Sequence, residues 1–354
     1  MLQLQRYIIR SFCMIALQCT LWLVLMCTLL EIMVQLNAIR GNYQFIQVLQ
    51  YVGLMLPSRI QLLAPLIGLL AGALWVHQWI ITQEWLALRV LGYSIEQILI
   101  AVLLASLINV SVLYGVGEGL APKATFKAKR LRAKAQGQVL VTDHGLWWWS
   151  HDPHLRILNY VQHVQSPKRL KGVIQIIRPE NAPFVTRVIT APEAYFQKGH
   201  WFLSQPKDWS VQSDRLIQTD HARVHWPLDP NLVELTMRSD RMMNLFQVYK
   251  QFRFAQDFKP SEMASHAYHF FHRLYAPLLS LLLSCLPAVF ALRYLRSRGS
   301  QLTVLYAMVL GLCIYLLDTF MAPIVMAFES SIKMWASMPL IVLSLMILSL
   351  WVRR

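Results

Sequence analysis

Six stretches of this chain are each long and apolar enough to cross a membrane, and nothing else in the sequence restricts its fold as strongly. A helix rises 1.5 Å per residue, so about 20 mostly apolar residues are needed to cover a hydrocarbon core. Phe12–Leu30, Ile60–Ile81, Ile98–Val116, Leu274–Leu292, Leu302–Phe320 and Trp335–Val352 meet that requirement. Inside lipid the backbone finds no water to bond, so such runs are expected as α-helices. The composition agrees: 56% of residues are hydrophobic and 14% charged, whereas soluble domains are roughly a quarter charged. A single soluble enzyme domain, a disordered chain and a fibre are all excluded.

The charge is not evenly spread. Of 33 Lys/Arg and 18 Asp/Glu, residues 118–268 hold 21 and 13. The expected organisation is therefore three helices in 1–117, a polar basic domain in 118–268, and three helices in 269–354. The middle domain reads as β-structure. Val139–Val141, Arg156–Gln165 and Gly172–Arg178 are short β-prone runs, and Tyr195-Phe196 and Trp201–Leu203 flank a Gly-containing turn. Pro153, Pro167, Pro179, Pro183, Pro192 and Pro206 punctuate it at turn-like intervals. Many short strands with regular turns predict a sandwich, barrel or jelly roll. Asp240–Phe254 is expected to be helical and to lead to the fourth span. The fold class is thus an α-helical membrane protein with an inserted all-β domain.

Basic residues in short loops set orientation. With the N-terminus in the cytoplasm, the cytoplasmic segments hold Arg6, Arg10, Arg89, Arg293, Arg296, Arg298, Arg353 and Arg354. The opposite loops hold Arg40, Arg59 and Lys333. This favours both termini inside and the middle domain outside. Arg6 and Arg10 before an apolar run resemble a signal peptide, but the run is long enough to span and is read as a retained first helix. Lys123, Lys127, Lys129, Arg130, Arg132 and Lys134 follow the third span against this bias; long domains translocate largely regardless of charge.

The catalytic signatures searched for are missing. The chain has no GxxxxGK[ST] loop, GxSxG, HExxH or GxGxxG, so no nucleotide site of the P-loop kind and no cofactor is expected. Cys13, Cys19, Cys27, Cys285 and Cys313 form no CxxC pair and read as small buried hydrophobes. His266, His269 and His272 recur at helical spacing, but no nearby carboxylate or Cys completes a metal site, and they read as interfacial packing. Trp147-Trp148-Trp149 reads as core or membrane-edge contact. The basic run abuts a span, which sets nucleic acid aside as a partner.

Ionisable residues near spans are costly, so each calls for a role. Glu84 lies in a short amphipathic stretch, residues 82–93, with Leu88 and Arg89 and ending at Gly92. It is either a solvated interfacial helix or a docking helix for a cytoplasmic partner. Asp318 closes the fifth span, as a polar partner for another helix or as an ion site. Glu31 ends the first span as an interfacial charge; with Arg40 and Arg59 it marks an entrance for an anionic amphiphile. The basic run is a solvated juxtamembrane helix or a binder of phosphate-bearing head groups.

Taken in order and spacing, several strings resemble the LptF/LptG permease family of the lipopolysaccharide exporter, closer to its LptG branch. They are PSRIQLLAPLIGLLAG from Pro57, QEWLALRVLGYS from Gln83, GEGLAPKATFKAKRLRAKAQ from Gly117, GLW at Gly145, YAPLLSLLLS at Tyr275, YLLD at Tyr315 and the Trp351–Arg354 tail. The resemblance covers essentially the whole chain. It implies a periplasmic β-jelly roll, an inner-membrane location, and a heterodimer with an LptF-like second permease that opens laterally to lipopolysaccharide. It also implies an LptB-like ATPase dimer on the Glu84 helix, an LptC-like membrane-anchored jelly-roll protein, and a periplasmic bridge protein. Lys129 and Arg132 match basic positions that meet the phosphorylated lipid. Arg40 lies near such positions, and Tyr315 and Asp318 join the lipid-binding candidates. The chain departs from the family pattern at Glu31, where Lys is frequent, and at Asn37 and Ala38, where a Lys pair is common. Two other classes compete with this reading: a secondary transporter using Glu84 and Asp318 as proton carriers, and a receptor whose β domain senses an external ligand.

Overall fold

A computed structural model of the chain describes residues 2–37, 44–135, 146–152, 155–166, 168–179, 185–197, 200–210, 215–218, 221–224, 243–258, 260–294, 300–328 and 332–352. The chain divides into two compact units, Met1–Gln136 with Ala267–Arg354, and Gly137–His266.

The first unit is helical. It contains α1 (Leu2–Leu36), α2 (Phe45–Ile81), α3 (Glu84–Val90) and α4 (Ile95–Ala135), then α6 (Pro260–Tyr294) from Ala267 onward, α7 (Ser300–Phe328) and α8 (Ile332–Val352). Five helices carry stretches long and apolar enough to cross a membrane: Gln5–Leu36, Phe45–Ile81, Ile95–Arg132, Ala264–Leu292 and Leu302–Met321. In α8 the qualifying described stretch is the shorter Trp335–Leu348. The helices overrun the apolar segments that announce them. α1 has 35 residues, about 50 Å of helix against a hydrocarbon core of about 30 Å. The basic run after the third span simply continues α4.

Backbones in this unit come very close. A Cβ added at Gly72 would stand 2.2 Å from the Ser284 carbonyl oxygen, and one at Gly68 would stand 3.2 Å from that of Ser280. Gly68 and Gly72 are one helical turn apart, so α2 presents a flat strip on which α6 lies, the small-residue packing expected where lipid supplies no hydrophobic drive. Hydroxyls then tie α4 to α6. Tyr114 and Ser280 bond at 2.9 Å, and Ser284 donates to Ser106 at 3.0 Å, all buried.

The second unit contains strands β1 (Leu146–Asp152), β2 (Leu155–Ser166), β3 (Arg169–Pro179), β4 (Arg187–Gln197), β5 (His200–Ser204), β6 (Lys207–Ser210), β7 (Arg215–Gln218) and β8 (His221–Val224), then helix α5 (Leu245–Phe258). All pairings are antiparallel, and the main order is β1-β2-β3-β4-β5-β8. The expected hairpin is present, with Gln197 opposite His200 and Glu193 opposite Ser204. Its neighbours in prediction, Arg156–Gln165 and Gly172–Arg178, lie within β2 and β3, whereas Val139–Val141 falls outside the described residues. The first half of β4 pairs with β6 instead, and β6 continues to β7. One strand thus forks the sheet.

The core of this unit is Val161, Val164, Leu170, Val173, Ala191, Ala194, Trp201, Leu203 and Phe254. Alternation along β3 changes phase at Gly172. Leu170 faces inward before it and Val173 and Gln175 after it, an odd step that a regular pleat forbids. Gly172 has φ +66, and a Cβ there would lie 2.7 Å from that of Gln162. Only glycine suits both the backbone and the space. The buried Gln175 donates to Asn159 across the β2–β3 pair at 2.6 Å. On the surface, the single Nε–H of Arg187 is shared by the two Asp208 carboxylate oxygens, at 2.7 and 2.9 Å, and Nη2 donates to Oδ2, which raises the guanidinium pKa above its ordinary value.

Candidate functional site

The sequence-predicted residues of the helical unit gather at its two ends. At one end sits α3. Gln83 opens it in the left-handed region (φ 55), which reverses the chain immediately after α2. Glu84 lies in its first turn and Arg89 in its last, the favourable arrangement for the helix dipole. At the far end the Gly92 N–H bonds to the Arg89 carbonyl at 3.1 Å, and the Tyr93 N–H to that of Leu88 at 3.1 Å. This is a Schellman stop, and Gly92 takes the left-handed position it requires, φ +87. Ser94 and Gln97 then cap α4 reciprocally, at 3.0 and 3.3 Å. The segment is a seven-residue helix held between two fixed corners.

Its side chains divide by face. Trp85 and Leu88, with Tyr93 beyond, pack against the buried core shared by α1, α2, α4, α6 and α7. Leu86, Val90 and Leu91 are exposed, Val90 by 81% and Leu91 by 72%. Arg89 is exposed as well. Glu84 turns to α1, where the Tyr7 hydroxyl donates to its Oε2 at 2.7 Å. Close by, the buried Trp75 donates to Ser11 of α1 at 2.8 Å and lies between Phe12 and Trp79, its ring tilted against both. Sequence reading finds Glu84, Leu88, Arg89 and Gly92 but misses Tyr7, Val90 and Leu91. Nothing local marks a tyrosine as the partner of a carboxylate 77 residues away.

At the other end, α1, α2 and α4 meet around Ile32, Val48, Tyr51, Val52, Met55 and Ala128. Arg59 forms an ion pair with Glu31 at 2.5 Å, both partly buried. Glu31 also accepts from Gln35 at 3.1 Å. The Arg132 guanidinium lies 5.8 Å from the centre of the Tyr51 ring. Lys129 is half-buried beside it, whereas Lys123, Lys127 and Arg130 are exposed. The basic run therefore has two faces, and Lys129 and Arg132 belong to the inner one. Glu31 and Arg59 neutralise each other here, rather than standing as separate interfacial charges. Arg40 lies outside the described residues.

Two further polar links tie the spans together. Glu118 of α4 accepts from Gln61 of α2 at 2.9 Å and from Arg273 of α6 at 2.6 Å. Neither Glu118 nor Arg273 is singled out by sequence reading, because each looks like an ordinary boundary charge. Asp318 of α7 is buried and meets His272 of α6 at 3.0 Å, and His272 stacks on Tyr268. Asp318 is thus the partner of another helix, and the missing carboxylate near the histidines arrives from a different span. No group of three His, Cys, Asp or Glu suited to a metal occurs among the described residues. Tyr315 packs on the cluster of α2, α6, α7 and α8.

The chain thus joins apolar spans, a short helix with an exposed apolar face at one end, and a cation-bearing rim at the other. Against known families, the model for the lipopolysaccharide export system permease LptF/LptG matches residues 6–353. The chain belongs to the LptF/LptG family. It is 21% identical over 285 residues to the lipopolysaccharide export system permease protein LptG of Haemophilus influenzae, covering 79% of this chain and 78% of that protein. As an LptF/LptG permease it is a multi-pass membrane protein with an inserted antiparallel β unit. Its α3 lies between the second and third apolar helices.

Proposed function

We propose that this permease extracts lipopolysaccharide from the inner membrane and passes it to a periplasmic bridge, driven by a separate LptB-like ATPase dimer. The observation that carries the reading is α3, a short helix clamped at both corners, presenting Leu86, Val90 and Leu91 to a partner and Glu84 beside them. The chain lacks a P-loop, so a separate ATPase would have to act on it through a surface such as this one.

Motion would enter α3 when the ATPase closes. Trp85 and Leu88 tie it to the spans, and the Glu84–Tyr7 bond extends the tie to α1. Rocking of the spans would then narrow an apolar cavity lined by the first, second and fifth. α1 suits a wall of that kind, since only 11% of its apolar window is buried within this chain. Lipid A is anionic, and Lys129, Arg132 and the expected Arg40 would meet its phosphates at the outer rim. Arg59 joins them only by leaving Glu31. An LptF-like permease completes the cavity, an LptC-like protein and the bridge receive the lipid, and the β unit is a jelly roll on the periplasmic side. Both termini are cytoplasmic, and Trp335–Val352 is the sixth span.

The test is Glu84→Arg in the intact complex. Insertion persists, while ATPase co-purification and lipopolysaccharide release are lost together. Normal release by that variant would overturn the coupling role of α3.

A further inference from the structure

A cleft opens in the helical unit beside α3. Trp75 and Trp79 of α2, Trp85 of α3, Ile98 of α4 and Ala288 and Ala291 of α6 form its walls. The gap follows from residue size, because two alanines on α6 stand opposite the indoles of α2 and α3. Its floor is buried, with Trp75, Ile98, Ala288 and Ala291 at most 2% exposed. Trp85 is only half-buried and stands at the mouth. The space amounts to about 280 Å³, the open side included, the volume of about nine waters at about 30 Å³ each.

Water is a poor occupant. A buried water needs about two to four polar partners, and no polar atom of the described residues lines this cleft. The Trp75 Nε1–H is already donated to Ser11. An apolar gap left unfilled forfeits dispersion along every wall, so an apolar ligand is favoured. In a membrane-spanning unit the apolar matter at hand is acyl chain. The depth suits it. The crossing stretches of α2 and α6 end at Ile81 and Leu292, and that of α4 begins at Ile95. Every wall residue on those helices lies within about 10 Å of such an end along the helix axis.

Two lipids could supply the chain, a phospholipid or lipopolysaccharide, and helix length separates them. Arg59 and Trp79 are twenty positions apart on α2, about 30 Å of helix and the full thickness of a hydrocarbon core. On the reading proposed above, the lipopolysaccharide phosphates meet the rim at the Arg59 end. The chains of a lipid held there fill only their own leaflet, about half that depth. A chain in the cleft therefore comes from the other leaflet.

We propose that this cleft binds one acyl chain of a phospholipid from the leaflet at the α3 end, and that the chain fills the space between Trp85 and the spans. The bound lipid is then part of the support on which α3 rests. The site needs neither cargo nor ATPase to be occupied, so its test stands apart from that of export.

The test uses the full chain in nanodiscs of phosphatidylethanolamine and phosphatidylglycerol, doped with a phosphatidylcholine that carries a diazirine on one acyl chain. Irradiation yields a carbene that inserts into what it touches, and peptide mass spectrometry maps the adducts. Leu104 and Leu107, exposed on α4, are the lipid-facing references. Ala71 and Ala101, fully buried and outside the cleft walls, are the protected ones. Adducts at Trp79 and Ala291 are expected within a few-fold of those at Leu104 and Leu107, although both residues are buried. Ala288→Leu fills the cleft and should lower the yield at Trp79 and Ala291 several-fold, leaving Leu104 and Leu107 unchanged. Should that variant misfold, Trp85→Ala widens the mouth and should raise the yield at Trp79 instead. A yield at Trp79 and Ala291 no higher than at Ala71 and Ala101 overturns the proposal, and so does a yield that neither variant moves. The same diazirine carried on a lipopolysaccharide acyl chain decides the source, and preferential labelling of the cleft by that lipid overturns the choice of phospholipid.

Discussion

Both units bury large side chains, Trp75 and Phe12 in one and Trp201 in the other, but in the helical unit the closest approach of two backbones is made where there is almost no side chain, whereas the core of the β unit closes around its largest ones. Gly68 and Gly72 bring α2 against the α6 backbone, and Ser106, Ser280 and Ser284 supply the links. The β unit closes around Trp201, Leu170 and Leu203, all under 2% exposed. The difference follows from solvent. Lipid tails are as apolar as leucine, so bulk gains nothing by leaving lipid for a helix interface. Close approach and hydrogen bonds decide there. In water the apolar area removed decides, and a large ring does most.

The comparison is tested most severely at Trp201. Trp201→Ala should cost about 3–5 kcal/mol of β-unit stability, read as lost hydrogen-exchange protection of β3 to β5 in the full chain. A change confined to the amides next to Trp201 would mean the ring is not central. The converse substitution adds one carbon in the other unit. Gly72→Ala should cost about 1–3 kcal/mol or more, because the new methyl meets backbone and not a movable side chain. Denaturation in graded detergent reads the effect, and wild-type resistance would contradict the close contact. Next comes Glu118→Ala, which removes the acceptor shared by Gln61 and Arg273. A loss of about 1–3 kcal/mol is expected, with Glu118→Gln intermediate. The smallest effect is Arg187→Ala. That pair is exposed on the arginine side, so less than about 1 kcal/mol is expected, vanishing at high salt.

Sequence alone carries the repetitive parts well. Apolar runs locate five of the six expected spans as helices of membrane-crossing length, and the sixth as a shorter apolar stretch among the described residues, because length and hydrophobicity are local properties. The hairpin at Gln197–His200 and the stop at Gly92 are equally local, each fixed by what a glycine-containing turn permits. Helix ends are less legible. Pro57 does not end α2, which begins at Phe45, because lipid and neighbouring helices favour helix over any alternative. The polar pairs are not legible at all. Glu31–Arg59 bridges 28 residues, His272–Asp318 46 and Glu118–Arg273 155. A carboxylate's sequence neighbours do not say which helix it will face. Nor does a basic run reveal that Lys129 and Arg132 turn inward while Lys123, Lys127 and Arg130 turn out. That split depends on where α2 lies against α4.

The strip at Gly68 and Gly72 also has a mechanical reading. Where two backbones touch, neither can slide freely, so the crossing of α2 and α6 behaves as a pivot. On one side of it, Gly72 to Ile81 is uninterrupted helix, a stiff arm of about 14 Å. On the other, Pro65 and Pro57 interrupt the hydrogen-bond ladder before Phe45, and an arm with such joints bends under load. If α3 has the coupling role proposed for it, a push delivered there would reach the pivot nearly undiminished, and the Arg59 end would answer by flexing more than by swinging.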